Sequence, residues 1–193
     1  LRFGPAEQTV GALQQLAESD TSDRVRRAAL AAALELADAK DDAQRAWLKS
    51  RLGMESSTAI REDIVVSLGV EGLTDVTATL VGAFDDPSWS VAVCAAVSLG
   101  RTRSADGVAK LIELTRREES WQLRGAGVVG LCHVMHKDGI PAIIERLADP
   151  EPLVARTARG FLKSITLGAD LGPEPEPWQS WWTEKAGRIN LET

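Results

Sequence analysis

The chain has 193 residues, of which 44% are hydrophobic and 26% are charged, a composition that fits a folded globular protein and excludes a disordered or collagen-like chain. Its formal net charge of −6 argues against a nucleic-acid backbone as the main partner, because phosphate binding needs a basic surface. Its two cysteines are too few for a disulfide framework, and no apolar run reaches the roughly 18 residues that could span a bilayer.

Helices are the expected secondary structure throughout. Alanine and leucine supply most of the apolar content, and both residues head the helix-propensity scale. Apolar residues recur at the i, i+3, i+4 spacing of a helix with one buried face, as in Val108, Leu111 and Ile112. The pattern predicts five successive helical hairpins. Their first helices are predicted at 6–17, 41–52, 73–84, 105–116 and 138–148, and their second helices at 21–37, 56–69, 87–100, 120–135 and 150–165.

The predicted second helices share one sequence pattern. Four segments of ten residues align without gaps, and each begins with an aliphatic anchor and carries leucine at its ninth position. A looser copy begins at Val25. The anchors are 35, 31, 32 and 31 residues apart: Val25, Ile60, Val91, Leu123 and Val154. A period of this length is typical of two-helix repeats, which stack into an α-solenoid.

An acidic residue lies five positions before every anchor. We call these residues the acidic row: Asp20, Glu55, Asp86, Glu118 and Asp149. Their position coincides with the predicted start of the second helix, where a carboxylate can accept hydrogen bonds from free amide groups. In two copies the next residue is Pro87 or Pro150, which suits a first helical position because proline has no amide hydrogen to satisfy. We therefore interpret the acidic row as structural.

The combination of an acidic residue, an aliphatic anchor followed by arginine, and a small-residue helix ending in Leu-Gly resembles the HEAT-like repeat of the phycobilisome-lyase type. The arginine is present in three copies and replaced by alanine in two: Arg26, Arg61, Arg124, Ala92 and Ala155. The resemblance covers residues 6–166 and implies a right-handed α-solenoid of about five HEAT-like hairpins. It implies little about activity, because the family includes scaffolds, adaptor subunits and a few enzymes.

A linker and a tryptophan-rich tail follow the predicted solenoid of residues 1–166. Residues 167–177 alternate proline and glutamate toward their end, which predicts an extended linker. Residues 178–193 resemble the tryptophan-rich ending found after HEAT-like arrays in some bacterial proteins. Three tryptophans share one face of a short helix there: Trp178, Trp181 and Trp182. We interpret this helix as a cap over the open end of the array, and the alternative is a motif that docks on another chain.

Trp89 and Trp121 are the main candidates for a binding surface. Both precede their anchor by two residues, at a position where the other copies carry Asp, Thr or Pro, so the core does not demand tryptophan there. Arg61 and Arg124 lie close to them in the repeat and complete the predicted site, since tryptophan and arginine are frequent hot spots of interfaces. In the alternative interpretations, the indoles pack on neighbouring loops and the arginines bond carbonyl groups or the acidic row.

No group of residues predicts catalysis or a cofactor. Cys132 and His136 lie four residues apart on one helix face, and with His133 they suggest a metal site. Such a site needs three or four ligands, and the chain has no other histidine, so we expect a core thiol and two imidazoles near a helix C-terminus. The sequence contains no nucleotide-binding loop, no Gly-x-Ser-x-Gly and no paired His-Glu motif.

The predicted function is therefore a non-catalytic scaffold that binds a protein or peptide on the concave face lined by the second helices. The alternatives are a chromophore (bilin) lyase-like or isomerase-like subunit, a nucleic-acid-binding HEAT protein, and a spacer within a longer chain. We expect neither nucleic acid nor a membrane as partner. The two cysteines are compatible with a reducing compartment but do not require one, and the pattern favours the cytoplasm without fixing the location. Leu1 rather than Met begins the chain, which is typical of a fragment or a processed form.

Overall fold

The structure, a computed structural model, describes residues 5–38 and 40–186, and this part of the chain is all-helical. Eleven α-helices and three 3-10 turns form its regular secondary structure, and the described residues contain no β-sheet. The all-α class predicted from the composition is confirmed. In the same described part, none of the helices is both long and apolar enough to cross a membrane.

Ten of the eleven helices form five pairs along the chain, and α11 (Pro175–Lys185) follows the last pair. The first helices of the pairs are α1 (Pro5–Ser19), α3 (Asp42–Met54), α5 (Thr77–Gly82), α7 (Ala105–Leu114) and α9 (Ile140–Glu145). The second helices are α2 (Asp23–Leu36), α4 (Thr58–Leu68), α6 (Trp89–Arg101), α8 (Trp121–Val134) and α10 (Pro152–Ile165). The 3-10 turns, one after α5 and one on either side of α9, are Ala83–Asp85, Lys137–Gly139 and Arg146–Ala148.

Each helix packs mainly on helices one or two positions away along the chain. The two helices of every pair contact each other, and the second helices contact one another in the order α2, α4, α6, α8, α10. Neighbours in sequence are therefore neighbours in space. This order brings equivalent positions of successive second helices close together.

The core consists of the aliphatic residues that define the repeated pattern. The leucine at the ninth position of each aligned segment is at most 2% exposed: Leu68, Leu99, Leu131 and Leu162. The anchors Ile60, Val91 and Val154 are equally buried, whereas Val25 in the first pair is 39% exposed. These buried side chains belong to one continuous hydrophobic cluster.

The acidic row precedes the second helices and does not cap them. The capping residues lie two positions later: Ser22, Ser57, Ser88, Ser120 and Glu151. In four of the five pairs, the backbone amide of the capping residue donates a hydrogen bond of 2.8–2.9 Å to the acidic side chain: Asp20, Glu55, Asp86 and Asp149. The predicted cap position is therefore wrong by two residues, and Pro87 and Pro150 precede the helices. The carboxylate instead closes the turn that leads into each helix.

Helices α6 and α8 approach each other closely because glycine faces glycine. A β-carbon added to Gly100 would lie 2.3 Å from the backbone oxygen of Gly130, and one added to Gly130 would lie 2.8 Å from the carbonyl oxygen of Ala96. Neither position has room for a methyl group. The two helices can therefore pack backbone against backbone.

The C-terminal helix α11 packs on α9 through its tryptophans. Trp178 is completely buried, and its indole Nε1 donates a hydrogen bond of 2.8 Å to the backbone oxygen of Gly172. Trp181 meets Trp178 edge to face at 6.3 Å between ring centroids, and Trp182 is partly buried beside it. The helix begins at Pro175, inside the segment predicted as linker.

The preceding segment is tied to α10 by an ion pair. The guanidinium group of Arg159 donates two hydrogen bonds of 2.9 Å to the carboxylate of Asp170, and Lys163 lies 3.3 Å from the same group. The hydrogen bonds from Arg159 are the main reason that the pKa of Asp170 falls to about 2. The segment between α10 and α11 is therefore fixed at its middle.

Candidate functional site

The two tryptophans that the sequence singled out line one depression, of about 260 Å³, on the second helices α6, α8 and α10. We call it the tryptophan groove. It is lined by Trp89, Val93, Val97, Trp121, Gln122, Gly125, Ala126, Val129, Leu153, Val154 and Thr157. The lining contains no charged side chain and only two polar ones.

Helical periodicity explains why these residues share a surface. The α6 residues Trp89, Val93 and Val97 are four positions apart, and so are three lining residues of α8, Trp121, Gly125 and Val129. Residues four apart lie on one helix face. Because both series begin two residues before their anchors, they occupy equivalent positions of neighbouring pairs and meet across the contact between α6 and α8.

The groove keeps large apolar side chains in water. Trp89 is 60% exposed, Trp121 is 40% exposed and Leu153 on α10 is 45% exposed. Scattered exposed apolar residues are normal in proteins, but three large ones around one apolar depression are typical of an interaction site. Gly125 also lines the groove and has no side chain to fill it.

Arg61 and Arg124 do not line this groove. The guanidinium group of Arg61 donates two hydrogen bonds of 2.9 Å to the carboxylate of Asp86, and its third nitrogen donates to the carbonyl oxygens of Glu55 and Ser56. Each of its three nitrogens thus has a partner within the protein. The alternative interpretation of the arginines predicted contacts of this kind, with carbonyl groups and with the acidic row.

Arg124 and Arg26 repeat the same arrangement. Arg124 donates hydrogen bonds of 2.7 and 2.9 Å to Asp149, and Arg26 donates hydrogen bonds of 3.3 and 2.9 Å to Glu55. Each arginine therefore joins its own helix pair to the acidic residue of the next pair.

The junction between the third and fourth pairs lacks this contact. Ala92 replaces the arginine there, and within the described part of the chain the exposed side chain of Glu118 accepts no hydrogen bond. Arg117, beside it, donates a hydrogen bond of 3.0 Å to Asp85 of the previous pair. At this junction, which has no arginine contact, Gly100 packs closely on Gly130.

The acidic partners of these arginines stay ionised. Burial by itself raises the pKa of Asp149, but the hydrogen bonds from Arg124 and from the amide of Glu151 outweigh it and lower that pKa below its usual range. The pKa of Asp86 is lowered in the same way by Arg61 and the amide of Ser88. Because both oxygens of each carboxylate accept hydrogen bonds within the protein, these charges have a structural role.

Cys132 and the two histidines do not form a metal site. The described residues contain no group of three or more His, Cys, Asp or Glu side chains that could hold a metal ion. Burial raises the pKa of the Cys132 thiol to about 12, so it is protonated at neutral pH. The His136 Nδ1 accepts a hydrogen bond of 3.2 Å from the amide of Asp138.

Sequence reasoning missed most of the apolar lining of the groove. Val93, Val97, Val129 and Leu153 were not predicted, because aliphatic residues on a helix are usually taken as core. The repeat offered a signal at one position: two residues after the anchor, α4 carries Glu62, whereas α6 carries Val93 and α8 carries Gly125.

Two larger depressions lie in the first two helix pairs. One, of about 590 Å³, lies between α1 and α3. It is lined in part by Gln14 and Gln44, and the side chain of Gln14 donates a hydrogen bond to that of Gln44. The other, of about 530 Å³, lies between α2 and α4 beside the ion pair of Arg27 and Asp63. Two further depressions, of about 420 Å³ beside Arg124 and about 300 Å³ beside Asp86, are also larger than the tryptophan groove. None of these four has an aromatic lining residue, so the tryptophan groove is the better candidate for binding.

A scan against protein-family models finds no match for this chain, and a comparison with curated proteins finds no significant relative. Function is therefore inferred from the geometry of the described residues.

Proposed function

We propose that the chain is a right-handed α-solenoid of HEAT-like helical hairpins that binds a protein or peptide on the concave face formed by its second helices. The contact order α2, α4, α6, α8, α10 supports this arrangement, because stacked hairpins place equivalent residues in rows. In this proposal, α11 caps the last hairpin with Trp178. The scaffold acts by holding its partner and catalyses no reaction.

The observation that carries the proposal is the pair of exposed tryptophans in one apolar groove. Burial of their side chains against a partner gains roughly 25 cal/mol for each Å² of apolar surface removed from water. Tryptophan is also the residue type most enriched among the few that dominate binding energy. In the free protein, the exposed parts of Trp89 and Trp121 contribute nothing of this kind.

The size of the groove favours peptide side chains over a chromophore. Drug-sized ligands occupy pockets of about 300–1,000 Å³ that bury most of their surface. The tryptophan groove is smaller, at about 260 Å³, and Gln122 and Thr157 are its only polar side chains. Apolar side chains of a peptide match this surface better.

Selection from a random library of displayed peptides tests the proposal on the full chain. Peptides of about 20 residues are long enough to cross three packed helices. Peptides selected on the wild type should bind a Trp89→Ala, Trp121→Ala double variant at least about tenfold more weakly, as measured by fluorescence anisotropy. Met54→Ala is the matched control, because Met54 is 66% exposed on α3, away from the groove.

The double variant also needs a folding control. Because both side chains are substantially exposed, its free energy of unfolding should stay within about 1 kcal/mol of the wild-type value. Equal affinity of the selected peptides for the wild type and the double variant would exclude the groove as the binding site.

A further inference from the structure

Two charged residues of opposite sign flank the tryptophan groove. The position two residues after the anchor is Glu62 in α4, Val93 in α6, Gly125 in α8 and Arg156 in α10. The equivalent position of α2 is Arg27, which is paired with Asp63, so the row continues beyond Glu62. Since the second helices contact one another in this order, Glu62 and Arg156 lie on opposite sides of the middle of the row. The middle of that row is apolar and belongs to the groove.

A hydrogen bond places Glu62 beside the groove, and the position of Arg156 on α10 places it there too. The Glu62 carboxylate accepts a hydrogen bond from the hydroxyl of Ser90, the residue that follows Trp89. Arg156 lies one residue before Thr157 and three after Leu153, both of which line the groove. Glu62 therefore borders the groove beside α6, and Arg156 borders it on α10.

Other charged groups near these ends already have partners. Asp63, next to Glu62, is paired with Arg27, and Glu119, before α8, is paired with Arg117. Glu151, before α10, accepts a hydrogen bond from the amide of Leu153. Arg156, by contrast, is exposed and makes no ion pair or side-chain hydrogen bond within the part of the chain that the structure describes. Glu62 forms no ion pair there, but the charges of Arg27 and Arg61 lie close enough to interact with it.

The separation of the two charges sets the length of a matching ligand. Packed helices lie roughly 8–10 Å apart, so three steps from α4 to α10 place the charges about 25–30 Å apart. An α-helix rises about 1.5 Å per residue and covers this distance with about 17–20 residues. A peptide helix laid across the second helices would therefore reach both charges and the groove between them.

We propose that the groove binds an amphipathic peptide segment of another protein, with an apolar centre, a basic residue at its α4 end and an acidic residue at its α10 end. The inference rests on the proposed function, because the apolar centre must fill the tryptophan groove. The charges at the two ends determine in which orientation the peptide binds. A segment with the charges reversed would place like charges together at both ends.

A charge-swap experiment on a selected peptide tests this inference. The parent peptide is the tightest binder selected on the wild-type chain, and its partner probe is the same peptide with its terminal basic and acidic residues exchanged. Both are titrated against the wild type and against a Glu62→Lys, Arg156→Glu double variant. We expect each exchange alone to weaken binding about three- to tenfold, and the exchanged peptide to regain affinity on the double variant.

Matched variants separate this effect from changes of fold and net charge. Lys110→Glu, Glu113→Lys swaps an exposed pair on α7, with the same net charge and no contact with the groove, and should leave both affinities unchanged. Glu62→Gln keeps a hydrogen-bond acceptor for Ser90 and removes only the charge, so it should weaken the parent peptide without altering the helix content measured by circular dichroism.

The outcomes distinguish the inference from the proposed function. If the exchanged peptide gains nothing on the charge-swapped protein, while Trp89→Ala, Trp121→Ala still abolishes binding, the charge-directed orientation is wrong and the groove remains the site. If no selected peptide depends on the two tryptophans, both ideas are overturned.

Discussion

Arg124 shows how a single side chain joins one helix pair to the next. Its guanidinium group is mostly buried and meets the carboxylate of Asp149, whose side chain is 0% exposed. A buried carboxylate is stable only when its oxygens are satisfied, and here Arg124 and the amide of Glu151 both donate to it, while Arg146 lies 3.5 Å away. Removal of Arg124 would leave the buried negative charge of Asp149 with only the amide of Glu151 and the more distant Arg146 as partners.

We therefore expect Arg124→Ala to lower the free energy of unfolding by about 3 kcal/mol at neutral pH, as measured by urea denaturation followed by tryptophan fluorescence. The exposed pair of Arg116 and Glu145 provides the control, since Arg116→Ala should cost less than about 1 kcal/mol. An equal effect of the two substitutions would contradict a structural role for the buried pair.

The effect of Arg124→Ala should also depend on pH. In the wild type, the pKa of Asp149 is lowered on folding, so the pair stabilises the protein above the unfolded pKa of about 4 and loses that contribution as the pH falls through the folded value. In the variant, burial without Arg124 favours protonation of Asp149. The unfolded pKa is the same in both proteins, so their difference in stability should narrow progressively as the pH falls from about 7 to about 3, in urea titrations repeated across that range.

Individual helices were largely predictable, because apolar periodicity recorded their buried faces. The predicted helix at 105–116 matches α7 within two residues at each end, and the predicted helix at 120–135 matches α8 within one residue at each end. The predicted helix at 73–84 was too long, since Leu73 and Val76 are buried at helical spacing but lie in the turn before α5. Gly72, with φ of +85°, makes that turn possible. Apolar periodicity indicates which residues are buried, and buried residues in a turn can have the same spacing as those of a helix.

The contact between α6 and α8 gives a test at the level of packing. Gly100→Ala should lower the free energy of unfolding by about 1–3 kcal/mol, because its new β-carbon would meet the backbone of Gly130 and push the helices apart. Gly160→Ala on α10 is the control: its β-carbon has no neighbour within 4 Å, so the substitution should stabilise the protein by about 0.5–1 kcal/mol. Destabilisation by both substitutions in urea denaturation would mean that close packing is not the cause.

At the scale of the whole molecule, the sequence revealed the period and the two tryptophans but not the shape of the groove. Trp89 and Trp121 stood out because no other copy carries an aromatic residue at that position. The contribution of Leu153 depends on α10 packing beside α8, which no local pattern records. The arginines also stood out, yet their carboxylate partners come from the next helix pair, 25 or 29 residues away.

The buried tryptophan of the tail gives a test at this scale. Trp178→Ala should lower the free energy of unfolding by about 3–5 kcal/mol, because it removes a fully buried side chain. In a stacked array, the loss should be local, so amide hydrogen exchange should accelerate most in α9 and α10 and least in α1 and α2. Trp89→Ala, at an exposed position, is the matched control. A uniform loss of protection would contradict a local cap.

The arginine contacts described above have a consequence for how the protein forms. Arg26, Arg61 and Arg124 each reach an acidic residue 29, 25 and 25 residues further along, and the helices contact mainly their near neighbours in sequence. Among the described residues, these contacts form without bringing distant parts of the chain together, so the entropy lost in closing loops stays small, which favours fast folding. A nascent chain emerging from the ribosome can therefore complete each junction as soon as the next helix pair has been synthesised.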